Sequence, residues 1–211
     1  MRVAKLSING NSLVGLYIVP LSDIVLVGQE VPESFDKTIA EVFNAPVLRI
    51  TLAGASLIGM FAATDGDHLL IPSIVFEHEE KILEEHNISY TKIQTTLTCL
   101  GNNIFFHKNA ILVNPDFEDE IIKGLMETFQ RPVHKMAIGE ITTIGSLLVA
   151  RENHGLVSHD INQKEFDFLT KTLGMQLMTG TVNMGSIQIA SGIAVNKNGF
   201  IIGEQSGGPE I

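Results

Sequence analysis

Few residues in this chain could do chemistry. Cys99 is its only thiol, and a cysteine nucleophile needs a base beside it. The histidine nearest in sequence, His107, lies across a hairpin, and the neighbouring Leu97 and Leu100 predict a buried, inert thiol. The other histidines are His68, His78, His86, His134, His154 and His159. Only His78 and His86 are within helical reach of each other, two turns apart on a charged face, while His154 and His159 sit on separate turns flanking a strand. There is no HExxH or CxxC pattern, so zinc has weak support, and no metal or cofactor is expected. Gly54, Gly59, Gly101, Gly145, Gly180, Gly185 and Gly192 lie outside any strand-GxGxxG-helix context, and no P-loop lysine accompanies them. They are expected where tight turns need positive φ and backbones crowd together. The carboxylate pairs Glu79-Glu80 and Glu84-Glu85 read as a solvated helix face.

The elements that must position these residues recur. Short apolar strands end at Val27, Ile71, Val113, Val157 and Ile201, separated by 44, 42, 44 and 44 residues. Upstream of each lies a turn, read as part of a strand-turn-strand hairpin. These turns are Ser12-Leu13-Val14-Gly15, Ser56-Leu57-Ile58-Gly59, Gly101-Asn102-Asn103-Ile104, Thr143-Ile144-Gly145-Ser146 and Asn183-Met184-Gly185-Ser186. Downstream of the first four comes a helical pattern. It is carried by Phe35, Ile39, Val42 and Phe43 after Ser34 as N-cap, by the charged run Glu77 to His86, and by Phe117, Ile121, Leu125 and Phe129. The fourth pattern is Phe166, Leu169 and Leu173, opened by an Asn162/Glu165 capping box and stopped at Gly174. An extended segment follows each: Val47 to Leu52, Tyr90 to Leu97, Val133 to Gly139 and Met175 to Val182.

Repetition of hairpin, helix and strand predicts an α/β fold, five units of about 43 residues around an axis, at roughly 3–46, 47–89, 90–132, 133–174 and 175–211. The fifth unit runs to Ile211 without helix or closing strand, and Val3 to Ile8 is the strand that could complete it. Closure would remove two exposed sheet edges.

Composition bounds the function. The chain has 211 residues, 45% of them hydrophobic, enough for one domain with a substantial core. Its net charge of -10 disfavours general attraction to free nucleic acid and suits a basic partner. A single cysteine and the lack of any uncharged apolar run of about 18 residues point to a soluble cytoplasmic protein with no membrane partner.

Across nearly its whole length the chain resembles the translation initiation factor 6 family, the archaeal form especially. The resemblance is carried by Gly180-Thr181-Val182-Asn183-Met184-Gly185, Leu100-Gly101-Asn102, Ala110 to Pro115, Gly54 to Gly59, Leu69-Leu70-Ile71-Pro72 and Gly208-Pro209-Glu210, in order and in register with the repeat. It implies a five-bladed α/β propeller, the pentein fold, with pseudo-five-fold symmetry. It also implies a monomer that binds the large ribosomal subunit through a ribosomal protein and nearby ribosomal RNA, blocks joining to the small subunit, and serves in large-subunit biogenesis. No catalysis, nucleotide or metal is implied. The partner-binding residues it suggests are Ser56, Met60, Asn102, Asn103, Asn183, Met184, Ser186 and Gln188, although Asn102 and Asn183 could instead cap their turns.

The chain departs from the family at three places. Met60 stands where members often carry a basic residue, and Leu21-Ser22-Asp23 replaces a Thr-rich turn. Members also continue past Gly-Pro-Glu into a final helix, without which an apolar patch on the fifth blade is expected to be left for a partner. A second reading comes from the fold itself: propellers of this type include enzymes that modify guanidines through a Cys-His-carboxylate set. That reading requires Cys99, a histidine and carboxylates to converge in the central channel.

Overall fold

Short runs of β-branched and aromatic residues become strands, and amphipathic runs between them become helices. The computed structural model describes residues 2–211. Strand β1 (Arg2–Leu6) opens the chain. The first blade is β2 (Ile18–Pro20), β3 (Val25–Gly28) and β4 (Val47–Ile50). The second is β5 (Ala63–Thr64), β6 (Leu69–Pro72) and β7 (Tyr90–Ile93). The third is β8 (Ile104–Phe106), β9 (Ile111–Val113) and β10 (Val133–Lys135). The fourth is β11 (Leu148–Arg151), β12 (His154–Ser158) and β13 (Gln176–Gly180). The fifth contains β14 (Ile193–Val195) and β15 (Gly199–Gly203) and takes β1 as its third strand, with Val3 opposite Phe200. The N-terminal strand therefore closes the ring, as its position in the repeat predicts.

In every blade the inner pair is antiparallel and the outer pair parallel. A parallel pair needs a crossover, supplied by α1 (Asp36–Phe43), α2 (Glu77–Glu85), α3 (Asp119–Phe129) and α4 (Gln163–Leu173). The expected capping box opens α4, where the Asn162 side chain accepts from the Glu165 amide at 3.0 Å, and Gly174 ends it at φ 65°. The start of α1 differs from expectation. Ser34 lies inside a 3-10 turn (Glu33–Phe35) ahead of the helix and makes no side-chain cap.

Each helix plugs the seam between two blades. Ile39, Val42 and Phe43 of α1 pack among Ala194, Ile201, Val25 and Val27. Leu83 of α2 joins Leu26, Ile50 and Ile71, and Leu125 of α3 joins Leu70, Ile93 and Val113. Leu169 and Leu173 of α4 pack with Leu112, Leu148 and Val157. The seam between the fourth and fifth blades holds Val182, Ile189, Ile193 and Ile202 with half-buried Leu156 and Phe200, and among the described residues no crossover helix covers it. Met178 beside it is 70% exposed.

Around the axis stand five helical turns: Val14–Leu16, Ile58–Phe61, Leu100–Asn103, Ile144–Ser146 and Ile189–Gly192. A Cβ on Gly59 would lie 2.0 Å from the Gly15 carbonyl oxygen, one on Gly101 2.0 Å from that of Gly59, and one on Gly145 2.3 Å from that of Gly101. On Gly15 it would lie 1.9 Å from the Ala190 oxygen, which closes the circle. One expectation is refined here and one corrected. Positive φ is found at Gly54 and Gly185 but not at Gly59, Gly101 or Gly145, which are required by the expected crowding of neighbouring backbones, in helical turns rather than β-turns. And the fifth counterpart of Gly145 is Ala190, so Asn183-Met184-Gly185-Ser186 belongs to a second set of turns further from the axis. That set is marked by the bridges Ile8↔Asn11, Leu52↔Ala55, Ile138↔Ile141 and Val182↔Ser186. Each unit has two small-residue turns close together, and local composition does not separate them.

Candidate functional face

In each unit the chain leaves the outer strand, makes a bridged or extended turn, enters the axial helical turn, and then runs down the inner strand. Both kinds of turn therefore collect at one end of the ring, the closed end, and the hairpins after the inner strands form the open end. Ser56, Met60, Asn102, Asn183, Met184, Ser186 and Gln188 all lie at the closed end. The five segments that build it, residues 8–17, 52–62, 94–104, 138–147 and 182–192, contain no lysine or arginine, and Glu140 is their single charge. The result is a disc of polar and apolar side chains with no basic residue and one carboxylate in these segments.

The eight residues play different parts. The Asn102 side chain is half-buried and has no hydrogen-bond partner among the described residues, so it is free to meet a partner and does not cap its turn. Asn103, next in the chain, is buried; its Nδ2 donates to the Cys99 carbonyl at 2.9 Å and its Oδ1 accepts from Asn114 at 2.7 Å. Its side chain is hydrogen-bonded inside the fold and offers little surface to a partner. Asn183 also works internally, with Nδ2 donating to the Ser12 carbonyl at 2.9 Å and Oδ1 accepting from Ser206 Oγ. Ser56 Oγ accepts from the Glu30 amide at 3.3 Å and Ser186 Oγ from the Gln188 amide. Met60 is half-buried and Gln188 exposed. Met184 is 82% exposed at φ 64°, held out on the tip of its turn.

Three glutamates hold these turns, and sequence reasoning missed their role. The Glu79 carboxylate is fully buried and accepts from Thr51, Phe76, Ala53 and Gly54. Its expected place on a solvated helix face is therefore wrong. Burial by itself would raise its pKa, but those four hydrogen bonds outweigh it and hold the carboxyl below its usual range. Glu165 accepts from the Gly139 amide, and Glu210 from Thr181, Met184, Gly185 and Gly207. Glu210 is likewise lowered: burial opposes, and the bonds from Thr181 and the backbone amides prevail. Each stands 25 or 26 residues beyond its turn, at the third position of a helical segment. Superposing the repeats would have exposed that spacing.

At the open end the inner strands enclose a channel of about 310 Å³. Asp65, His107, Arg151 and Asn196 line its mouth. Asp65 pairs with Arg131 at 2.7 Å, and Arg131 lies over the rings of Phe106 and Phe129. Burial pushes the His107 imidazole down to about 4, assisted by the Lys108 and Arg131 cations. No cysteine lines the channel. Cys99 is half-buried, less covered than its leucine neighbours predict, and it precedes an axial turn at the closed end. His107 follows β8 at the open end, so the two do not meet.

The other histidines are dispersed. His68 bonds Ser89 and Thr91, His86 reaches the Ile82 carbonyl, His78 stacks on Phe76, and His134 packs on Phe168. Among the described residues no group of three or more His, Cys, Asp or Glu could hold a metal ion, and no helix is long and apolar enough to cross a membrane.

The model of the eIF-6 family matches residues 3–211. Translation initiation factor 6 of Saccharolobus islandicus is 28% identical over 214 residues, covering 100% of this chain and 96% of that protein. The protein of the same name from Thermococcus onnurineus is 26% identical over 217 residues, covering 100% and 95%. Among solved structures, DDAH from Pseudomonas aeruginosa complexed with citrulline superposes with a TM-score of 0.57 at 14% identity, covering 84% of this chain and 71% of that one. The N-terminal domain of ArgZ, an arginine dihydrolase, gives 0.56 at 11%, covering 90% and 72%. At these identities the structures share the pentein-type fold, and only the fold.

Proposed function

We propose a function from one settled premise: this chain belongs to the eIF-6 family, the match running over residues 3–211. It is a translation initiation factor that binds the large ribosomal subunit at the closed end of the ring and prevents premature association with the small subunit. The same attachment would serve large-subunit biogenesis in the cytoplasm, and the protein acts as a monomer. The observation that carries the choice of face is the closed-end disc, where Asn102 has an unpartnered amide and Met184 projects from a clasped turn. Ser56, Ser186 and Gln188 complete the contact, while Asn103 and Asn183 support it from beneath.

A disc without basic residues, on a chain of net charge -10, meets a cationic ribosomal protein more readily than RNA, and RNA contact falls at the rim. Met60 supplies shape where an electrostatic contact is absent. The guanidine-modifying reading loses its support because its thiol and imidazole stand at opposite ends of the ring.

Co-sedimentation with separated subunits, at moderate and at high salt, tests this. Pelleting with the large subunit alone, and fewer joined ribosomes when the small subunit is added, is the expected result. A protein that stays in the supernatant with both subunits would overturn it.

A further inference from the structure

The first residue of the turn before α2 breaks a local rule. N-cap positions favour side chains whose oxygen can accept from the first-turn amides; Asn162 does this for α4. At α2 the N-cap is Phe76, which makes no side-chain cap and is 51% exposed. The residue is also packed in place. Its backbone amide donates to Glu79 at 2.9 Å, the same carboxylate that grips Ala53 and Gly54. Its face stacks on His78, with centroids 5.7 Å apart and planes 16° apart. Its edge lies over the closed-end turn, where a Cβ on Gly54 would sit 3.2 Å from the ring. Ile74, two residues earlier, is 46% exposed. A half-exposed aromatic packed against Gly54 and His78 at the edge of the closed end has the features of an interface hot spot.

We propose that Phe76, flanked by Ile74, is an anchor of the subunit-facing surface and inserts into an apolar, cation-rimmed socket on a protein of the large subunit. The inference rests on the proposed function and names the chemistry of its partner. Next to the ring Glu77 is exposed, while Glu79 is buried and Glu80 pairs with Lys92 at 2.7 Å, so the acidic character here is that of Glu77 on a chain of net charge -10. A socket rimmed with Lys or Arg complements that charge, whereas a phosphate backbone would be repelled.

The test uses the full chain and purified large subunits. Phe76→Asn restores a capping side chain, so its melting temperature is expected to hold or rise, while its Kd weakens at least tenfold. Phe76→Leu keeps apolar bulk and should lose less, which covers the case of an asparagine variant that folds poorly. If the wild-type chain pellets and both variants pellet within twofold of it, the anchor is wrong and the proposed function stands. If the wild-type chain does not pellet, the function itself fails and takes the anchor with it. A photo-crosslinking benzoyl-phenylalanine at position 76 should attach to a ribosomal protein; attachment to ribosomal RNA would overturn the proposed partner.

Discussion

The buried carboxylate of Glu79 accepts the Gly54 amide at 2.9 Å, tying the N-terminus of α2 to the turn that opens the same repeat. Three further donors share that carboxylate. Glu79→Gln keeps the shape but turns an NH2 group towards backbone amides, leaving donors unsatisfied. The loss should be about 3 kcal/mol in thermal unfolding at neutral pH.

The same carboxylates set an acid limit. Glu79 and Glu210 have folded pKa values below the unfolded ones, so their stabilisation is complete above the ordinary glutamate value of about 4.3. It is lost as pH falls through the lower folded values. Melting temperature should be insensitive to these groups near neutrality and decline in acid, with a shallower decline in Glu79→Gln. Equal acid sensitivity of variant and wild type would show that the clasp is not responsible.

The axial ring is a second test of backbone packing. Gly59→Ala would drive a methyl group into the Gly15 carbonyl, and Leu16 Cα is only 3.1 Å away. Neither neighbour is a flexible side-chain tip, so destabilisation of about 3 kcal/mol or more is expected. Ala190→Gly, at the fifth equivalent position, should cost about 1 kcal/mol or less. Similar melting temperatures for the two variants would contradict the ring.

Neighbouring asparagines should separate binding from folding. Asn102→Ala removes no internal hydrogen bond and should weaken large-subunit pelleting while stability stays within about 1 kcal/mol. Asn103→Ala removes two internal hydrogen bonds, to the Cys99 carbonyl and from the buried Asn114 amide, and should cost about 2 kcal/mol of stability. Paired denaturation and co-sedimentation measurements decide whether the two effects divide in this way.

Cys99→Ser addresses the enzymatic alternative. With the thiol at the closed end and His107 at the other, the substitution should leave subunit binding within about twofold, since the two side chains differ little in volume. Any turnover of an arginine-like substrate that vanishes in this variant would revive the guanidine-modifying reading.

The repeat of 44, 42, 44 and 44 residues, the alternation of strand and helix, and the closure by Val3 to Ile8 were all readable from the chain alone. They depend on short-range sterics and on the need to pair sheet edges, and both leave periodic marks in sequence. So too were the motifs that place the chain in its family. Tertiary structure decided what each polar side chain meets. Asn102 and Asn103 are adjacent and chemically identical, yet one faces outwards and the other is consumed by Asn114. Glu79 belongs to a charged run, and only the fold of its repeat brings Thr51, Ala53 and Gly54 around it. The register of Asn183 to Ser186, the separation of Cys99 from His107 and the exposure of Phe76 were settled in the same way. A hydrogen-bond partner tens of residues distant is chosen by how the blades stack, and the local pattern of residues carries no record of that choice.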